Sequence, residues 1–241
     1  MLPIGRMSDA LTITYRFDLP DGSAKTLEFA FDAVDFKMLK APPDAPPFWA
    51  ELAFSRCANC PLDESLNPHC PAALQLASAL EPLNALVSFD TVGVTVTQAE
   101  RTVYAQTSAQ QAMSSVIGLV MATSGCPWTD HLRPMARFHL PFASEAETVY
   151  RSIGMFLLAR ALADSDESRG FAALEALYEN LHVVNRDMSR RLGAAARTDP
   201  ARNAMALLDA YTTLLPAALE RSLDELRPLF DAWQTKKNPA I

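Results

Sequence analysis

The four cysteines of this 241-residue chain impose the strongest constraint on how it folds. Cys57 and Cys60 form a Cys-x-x-Cys motif, whereas Cys70 and Cys126 stand far along the chain from it. Three of the four cysteines are followed directly by proline, and none lies within an amphipathic repeat. If the four thiols share one site, the segment before Cys126 must fold back onto the first motif. The site would then hold two distant parts of the chain together.

Four thiols in this pattern predict a metal site made of Cys57, Cys60, Cys70 and Cys126. A Cys-x-x-Cys motif supplies two sulfur ligands from a single turn, and the other two must come from loops that fold back onto it. The Cys-Pro pairs and the wide spacing to the last cysteine favour an iron–sulfur cluster of the [4Fe–4S] type. Zn²⁺ is the alternative, and His69 is an alternative ligand. Four unrelated buried thiols would instead be expected within apolar stripes.

The charge and hydropathy of the chain exclude several classes of partner. Its net charge is -7 and its pI is about 5.1, so there is no basic surface for nucleic acid. The one local basic cluster, Arg186, Arg190 and Arg191, is predicted to lie on the solvated face of a helix. The sequence shows no secretory signal and no apolar run of the ~18 residues that a membrane span needs. We therefore expect a cytoplasmic protein without a membrane partner, in which thiols stay reduced.

Residues 1–106 are predicted to form a small antiparallel β unit that carries one helix and the cysteine-rich loop. The strands are indicated by alternating β-branched and aromatic residues, and a turn at 19–23 joins the first two into a hairpin. Pro71 suits the first turn of the helix. The predicted elements are strands at 11–17, 25–31 and 49–54, a helix at 72–80, and a second hairpin at 87–98 and 101–106.

Residues 107–241 are predicted to form an all-α helical bundle, which makes the chain an α+β protein with two parts packed around the metal site. Capping-box patterns at Thr107-x-x-Gln110 and Ser144-x-x-Glu147 predict two helix starts. Residues 126–143 contain three prolines and no periodicity, and they are predicted to be a long ordered loop. Later helices are predicted at 171–192, from an N-cap at Asp199, and from Pro216.

The loop at 126–143 contains many side chains of the types that often act in catalysis. His131 and His139 are candidate proton donors or ligands, and Arg137 is a third candidate. The competing interpretation is structural, because arginines of this kind also pair with helix carboxylates. The sequence contains no phosphate-binding loop, dinucleotide fingerprint or zinc-protease helix that would indicate a class of enzyme. These residues therefore leave open whether the protein is an enzyme.

The order of the motifs resembles an uncharacterised bacterial protein family with the pattern CxxCPL, HCP, SGCP and RFHLPF. The resemblance extends from Thr12 to Phe230 and implies an intact cytoplasmic protein of that type, with no known activity. Its segments in this chain are Cys57–Leu62, His69–Ala73, Ser124–Pro127, Arg137–Phe142 and Glu147–Arg151.

Three functions are compatible with the sequence. The leading hypothesis is redox sensing or electron transfer by an iron–sulfur centre, with the helical part contacting a protein redox partner. The first alternative is an interaction protein in which Zn²⁺ only joins the two parts. The second alternative is a metal-dependent enzyme that uses the loop between His131 and His139.

Overall fold

The fold combines a four-stranded antiparallel sheet with six helices in the residues that the computed structural model describes, which are 10–39, 43, 45–163, 171–195 and 200–231. The sheet lies at the N-terminal end, carries one helix within its sequence, and is followed by a largely helical region. The predicted α+β class is therefore confirmed.

The sheet is built from two hairpins. Its strands are β1 (Leu11–Asp18), β2 (Ala24–Phe31), β3 (Thr91–Thr97) and β4 (Thr102–Ser108), in the spatial order β2-β1-β3-β4. Because side chains alternate between the two faces of a strand, one face collects the apolar residues and becomes buried. This face consists of Ile13, Tyr15, Phe17, Leu27, Phe29, Phe31, Val92, Val94 and Val96. The first hairpin and the valine stripe agree with the sequence patterns.

One helix lies between the two hairpins of the sheet, and five follow it in the described residues. They are α1 (Pro71–Leu80), α2 (Ala109–Thr123), α3 (Arg133–Arg137), α4 (Glu145–Leu162), α5 (Ala172–Ala195) and α6 (Pro200–Leu226). Four 3-10 turns lie at Phe48–Ala50, Glu81–Leu83, Thr129–Leu132 and Arg227–Phe230. The capping box at Ser144 and Glu147 is present with both of its reciprocal hydrogen bonds, as its sequence pattern predicts.

One hydrophobic core joins the sheet to the helices. The buried face of the sheet packs in the same cluster as residues of α1, α2, α5 and α6, including Met188 of α5 and Met205 of α6. The boundary expected after residue 106 falls inside β4, which continues to Ser108. Residues on both sides of this boundary thus share one interior.

The predicted strand at 49–54 is wrong. Its first residues form a 3-10 turn, and Glu51 makes only an isolated antiparallel bridge to His69. The Ala50 carbonyl and the Leu52 N–H make the backbone hydrogen bonds of this bridge, to the Cys70 N–H and the Pro68 carbonyl, whereas two other carbonyls accept from a side chain. Arg191 donates to the carbonyls of Trp49 and Glu51, at 2.5 and 2.6 Å. Alternation in the sequence shows which side chains are buried, but it does not supply a neighbouring strand.

Two predicted helix boundaries are also wrong. The cap of α2 is Ser108 and not Thr107, because β4 continues through Ser108 and its hydroxyl accepts from the N–H of Gln111 at 3.3 Å. Helix α6 runs through Pro216, since a proline removes one backbone hydrogen bond but does not always end a helix. The expected N-cap, Asp199, lies outside the described residues.

The segment at 126–143 is more regular than the sequence indicates. A 3-10 turn at Thr129–Leu132 leads directly into the short helix α3, which has Pro134 in its first turn. Such short helical turns contain too few residues to show a periodicity. Among the described residues, none of the helices is long and apolar enough to span a membrane.

Candidate metal centre

The four cysteines come together from three separate elements. Cys57 and Cys60 lie in the loop before α1, Cys70 is the N-cap residue of α1, and Cys126 follows the end of α2. Burial raises the pKa of Cys57 to about 12, and the neighbouring Cys70, Cys126, Asp187 and Cys60 raise it further in the same direction. Each thiol must therefore be close enough to Cys57 to affect its ionisation. Cys126 thus lies within electrostatic range of the first motif, and the four-cysteine ligand set stays a prediction.

Local backbone geometry places two of these thiols. The N–H of Cys60 donates to the carbonyl of Cys57 at 3.0 Å, which closes the turn of the Cys-x-x-Cys motif. Gly125 adopts a φ of 87° just before Cys126. This left-handed conformation strains any residue with a Cβ, and it lets the chain turn sharply after α2. The cysteines thus lie at turns and helix ends.

Cys70 occupies the positive end of a helix dipole. Burial raises the pKa of its thiol, whereas the backbone N–H groups of Ala73 and Ala72 and the charge of Arg191 oppose that rise. Helix N-termini favour negative charge because their first N–H groups have no partner within the helix. Burial has the larger effect, so the pKa of Cys70 is raised on balance, while these N–H groups and Arg191 would stabilise its sulfur once a metal had displaced the proton.

Helix α5 binds the Cys-x-x-Cys loop through two polar residues that are two helical turns apart. The N–H of Ala58 donates to Asp187 Oδ2 at 3.0 Å, and Asn59 Nδ2 donates to Asn180 Oδ1 at 3.0 Å. The indole N–H of Trp128 donates to the Asn59 carbonyl at 2.8 Å from the other side. Residues spaced by seven lie on the same face of a helix. The loop between the first two cysteines is thus held from both sides.

Arg191 is a buried cation at the edge of this cluster. Its side chain is 1% exposed, and it donates to three backbone carbonyls, those of Trp49, Glu51 and Leu52. Its Nε has no hydrogen-bond partner, and within the described ranges no carboxylate forms a salt bridge with it. A buried charge without a counter-charge is costly, so a negative group beside it would stabilise the protein.

The donor set and its charge fit a four-cysteine metal centre. Four thiolates around Zn²⁺ or an iron–sulfur cluster carry a net negative charge, and Arg191 supplies a positive charge beside Cys70. In the part of the chain that the structure describes, no group of three or more His, Cys, Asp or Glu side chains is already arranged to hold a metal ion. Binding at these cysteines therefore requires their side chains to turn toward a common point and to lose their protons.

The other sequence candidates lie in different surroundings. His69 is partly exposed, and its backbone pairs with Glu51 immediately before Cys70. His131 is exposed in a 3-10 turn, whereas His139 is buried against Tyr15. The structure therefore places the two histidines in unlike environments.

Arg137 has a structural environment. Its guanidinium lies 3.6 Å from the carboxylate of Glu100 and stacks near the rings of Phe36 and Phe138. An arginine held in this way joins the loop to the sheet. This placement agrees with the competing interpretation, in which the arginines of this loop pair with carboxylates.

Sequence reasoning missed the residues of α5 that contact the cysteine loop. The predicted solvated face holds for Arg190, whose side chain is 67% exposed, but it is wrong for the buried Arg191. A signal was present, because Asp187 and Arg191 flank Met188 in the apolar stripe of α5. Charged residues beside the buried stripe of a helix indicate a polar partner in the interior.

The fold and the candidate site define an α+β protein with four free cysteines, two of which lie in a loop that is hydrogen-bonded to the long helix α5. Residues 13–231 match a domain of unknown function (DUF6901), and the chain belongs to this family. The resemblance to an uncharacterised family is thereby confirmed, whereas the bacterial origin stays a prediction. Searches of curated proteins and of solved structures found no match.

Proposed function

We propose that the protein binds a metal centre through Cys57, Cys60, Cys70 and Cys126, and that this centre is an iron–sulfur cluster of the [4Fe–4S] type. When bound, such a cluster would supply one-electron redox chemistry. Redox sensing or electron transfer is the function that follows. Four cysteine ligands leave no open coordination position, so the proposal favours electron exchange over substrate chemistry.

The observation that carries the proposal is the buried guanidinium of Arg191 beside the clustered thiols. It is 1% exposed, and its charge acts on Cys70. A set of neutral thiols would leave this charge uncompensated, whereas a thiolate centre would balance it. Besides donating to three backbone carbonyls, Arg191 would therefore balance the negative charge of a thiolate centre.

The protein supplies three further contributions to such a centre. Asp187 and Asn180 fix the loop that carries the first two cysteines, and Trp128 covers its other side. Arg56 is exposed, and it donates to the carbonyl of Cys60 at 3.1 Å. The loop thus reaches the surface, where a protein redox partner would meet the centre. As part of the same proposal we place the protein in the cytoplasm, where free thiols persist.

A structural Zn²⁺ site is the second candidate. The observation in its favour is that the cysteines lie where the loop, α1, the end of α2 and α5 meet. A metal at this point would fix several elements at once, and structural zinc sites contribute directly to folding free energy. This alternative requires the same ligands and no redox partner.

Anaerobic purification with metal analysis distinguishes the two candidates. An iron–sulfur centre predicts a brown protein with a broad visible absorption band and stoichiometric iron and sulfide. Stoichiometric zinc in a colourless protein would support the structural site and exclude the cluster. A natively folded protein that contains neither metal would contradict both.

Variants then locate the ligands. Cys57→Ser and Cys126→Ser should each abolish stoichiometric metal, since each removes one sulfur ligand. Ser124→Ala is a matched control, because Ser124 Oγ accepts from the Cys126 N–H at 3.3 Å and carries no thiol. Normal metal content in Cys126→Ser would show that Cys126 is not a ligand.

A further inference from the structure

A cavity of about 190 Å³ lies between α2, α3, α4, α5 and α6. Its walls are mainly apolar, with Leu119, Leu132, Leu181 and Leu208 among the residues that line it. None of the four cysteines lines it, so it is separate from the proposed metal centre. An apolar cavity of about 150 Å³ is large enough to take benzene, so this one has room for a slightly larger molecule.

One buried polar side chain in the cavity wall has no partner. Asn185 of α5 is only 6% exposed and lines the cavity, yet its side-chain amide makes no hydrogen bond within the part of the chain described. Buried amides are nearly always hydrogen-bonded, because leaving one unpaired destabilises the protein. An unpaired amide that borders a cavity indicates a ligand that completes its hydrogen bonds.

The opposite part of the wall carries a cation. Arg151 of α4 lines the cavity and donates to the carbonyls of Met135 and Phe138, at 2.6 and 3.0 Å. In the ranges that the structure describes, no carboxylate lies within salt-bridge distance of this guanidinium, and no aspartate or glutamate lines the cavity. Glu147 is the nearest acid along α4, and its carboxylate accepts from Ser144 in the capping box. The cavity therefore presents a positive group and no negative one.

The two polar groups lie at different ends of the cavity. Tyr178 and Asn185 both line it from α5, and seven residues of helix separate them by ~10 Å along its axis. The Tyr178 hydroxyl lies 2.5 Å from the hydroxyl of Ser152, which follows Arg151 directly in α4. Arg151 therefore belongs to the Tyr178 end, and Asn185 marks the other. A ligand that uses both groups must be polar at both ends and apolar between them.

We propose that this cavity binds a small carboxylate with an apolar body and a hydroxyl group at its far end. The carboxylate faces Arg151, the body fills the apolar walls, and the hydroxyl completes the hydrogen bonds of Asn185. This inference does not depend on the metal centre, because no cysteine takes part in it. Small clefts with apolar walls and a few convergent polar groups are typical ligand sites.

Calorimetric titration of the full chain with three related probes tests the proposal. The probes are 4-hydroxybenzoate, 4-hydroxybenzamide, which lacks the charge, and benzoate, which lacks the hydroxyl. We expect 4-hydroxybenzoate to bind about tenfold more tightly than each of the other two, because each lacks one polar contact. Absence of binding by all three probes, or equal binding of 4-hydroxybenzoate and 4-hydroxybenzamide, would overturn the proposal.

Two variants assign the contacts. Asn185→Leu should weaken 4-hydroxybenzoate binding about tenfold and raise the Tm of the free protein, since it removes an unpaired amide from the interior. Arg151→Met should abolish the preference for the acid over the amide. Arg160→Met on the same helix is the control, because Arg160 stacks on Phe156 and does not line the cavity. If Asn185→Leu lowers the Tm and leaves affinity unchanged, Asn185 has a structural role and the proposal is wrong.

Discussion

The guanidinium of Arg191 acts on the Cys70 thiol across the junction between α5 and the start of α1. Burial raises the pKa of Cys70, and the charge of Arg191 lowers it. The same guanidinium donates to the carbonyl of Glu51 at 2.6 Å, so one side chain binds the segment before the cysteine loop and influences a thiol behind it. The stability of that segment and the ionisation of the cluster are thereby coupled through one residue.

Replacing Arg191 should lower both the free energy of unfolding and the metal occupancy. Arg191→Met removes the donor of the Trp49 carbonyl and one of the two donors of the Glu51 carbonyl, which also accepts from the Phe54 N–H, and we expect a loss of at least about 2 kcal/mol in the free energy of unfolding. Arg227→Met is the control. Its guanidinium is mostly exposed and pairs with the exposed Asp224, so the loss should stay under about 1 kcal/mol. Urea unfolding measures both, and metal analysis should show lower occupancy in Arg191→Met alone. Equal losses in the two variants would contradict the proposed role of Arg191.

A second prediction concerns the hydrogen bond between Asp187 and the Cys-x-x-Cys loop. Asp187→Ala leaves the N–H of Ala58 without its acceptor and also removes the ion pairs of Asp187 with Arg186 and Arg190, so it should lower the free energy of unfolding by about 1–3 kcal/mol. Asp224→Ala is the control, because Asp224 forms only an exposed ion pair with Arg227. Its effect should be below about 0.5 kcal/mol. Urea unfolding compares the two, and hydrogen exchange should rise at residues 57–60 in Asp187→Ala. Unchanged exchange there would show that the loop does not depend on Asp187.

The elements that the sequence predicts well are those specified by neighbouring residues. The alternation in β1 and β2, the valines at 92, 94 and 96, and the Ser144–Glu147 capping box are each visible within a few residues. The cysteine set was also predictable as a candidate, because a Cys-x-x-Cys motif is a local pattern. The contacts that hold the cysteine loop could not be predicted in this way. Asp187 meets Ala58 across 129 residues of sequence, and Arg191 meets Glu51 across 140.

The misassigned strand at 49–54 has the same physical origin. Its alternation correctly indicates that Ala50 and Leu52 are buried. What makes a strand is a neighbouring strand for its carbonyl and N–H groups, and here a distant arginine donates to the carbonyls of Trp49 and Glu51 instead. A local pattern therefore predicts burial more reliably than the partner of the backbone. The same limit hid the residues of α5 that support the candidate site.

A third prediction follows from the buried imidazole of His139. Burial lowers its pKa from the ordinary value of 6.5 to about 3, and the nearby charge of Arg151 acts in the same direction. Between these two values the unfolded chain binds a proton that the folded chain does not bind. The free energy of unfolding should therefore decrease as the pH falls from 6.5 toward 3, by about 1.4 kcal/mol per pH unit for this one group.

The comparison of two histidine variants isolates this contribution. His139→Gln removes the titrating group and should reduce the slope of stability against pH in this range by about one proton. His131→Gln is the control, because it replaces an exposed histidine of the same segment by the same residue. Urea unfolding at several pH values between about 4.5 and 6.5, which lie between the two pKa values of His139, gives the slope of the free energy of unfolding against pH for each variant. Identical slopes in the two variants would show that His139 is not held neutral by the fold.

The last prediction concerns the glycine that precedes Cys126. Gly125 has a φ of 87°, and a Cβ built there would have no neighbour within 4 Å, so any cost of adding one is conformational and not steric. Gly125→Ala should lower the free energy of unfolding by about 1–2 kcal/mol.

Gly154 supplies the opposite case within the same protein. It lies in the interior of α4, and a Cβ there would also have no neighbour within 4 Å. Because alanine favours the helical conformation, Gly154→Ala should raise the free energy of unfolding by up to about 1 kcal/mol. Urea unfolding of the two variants should thus give shifts of opposite sign. If Gly125→Ala also stabilises the protein, the chain before Cys126 does not need the left-handed turn. Other contacts must then place Cys126 relative to the other cysteines.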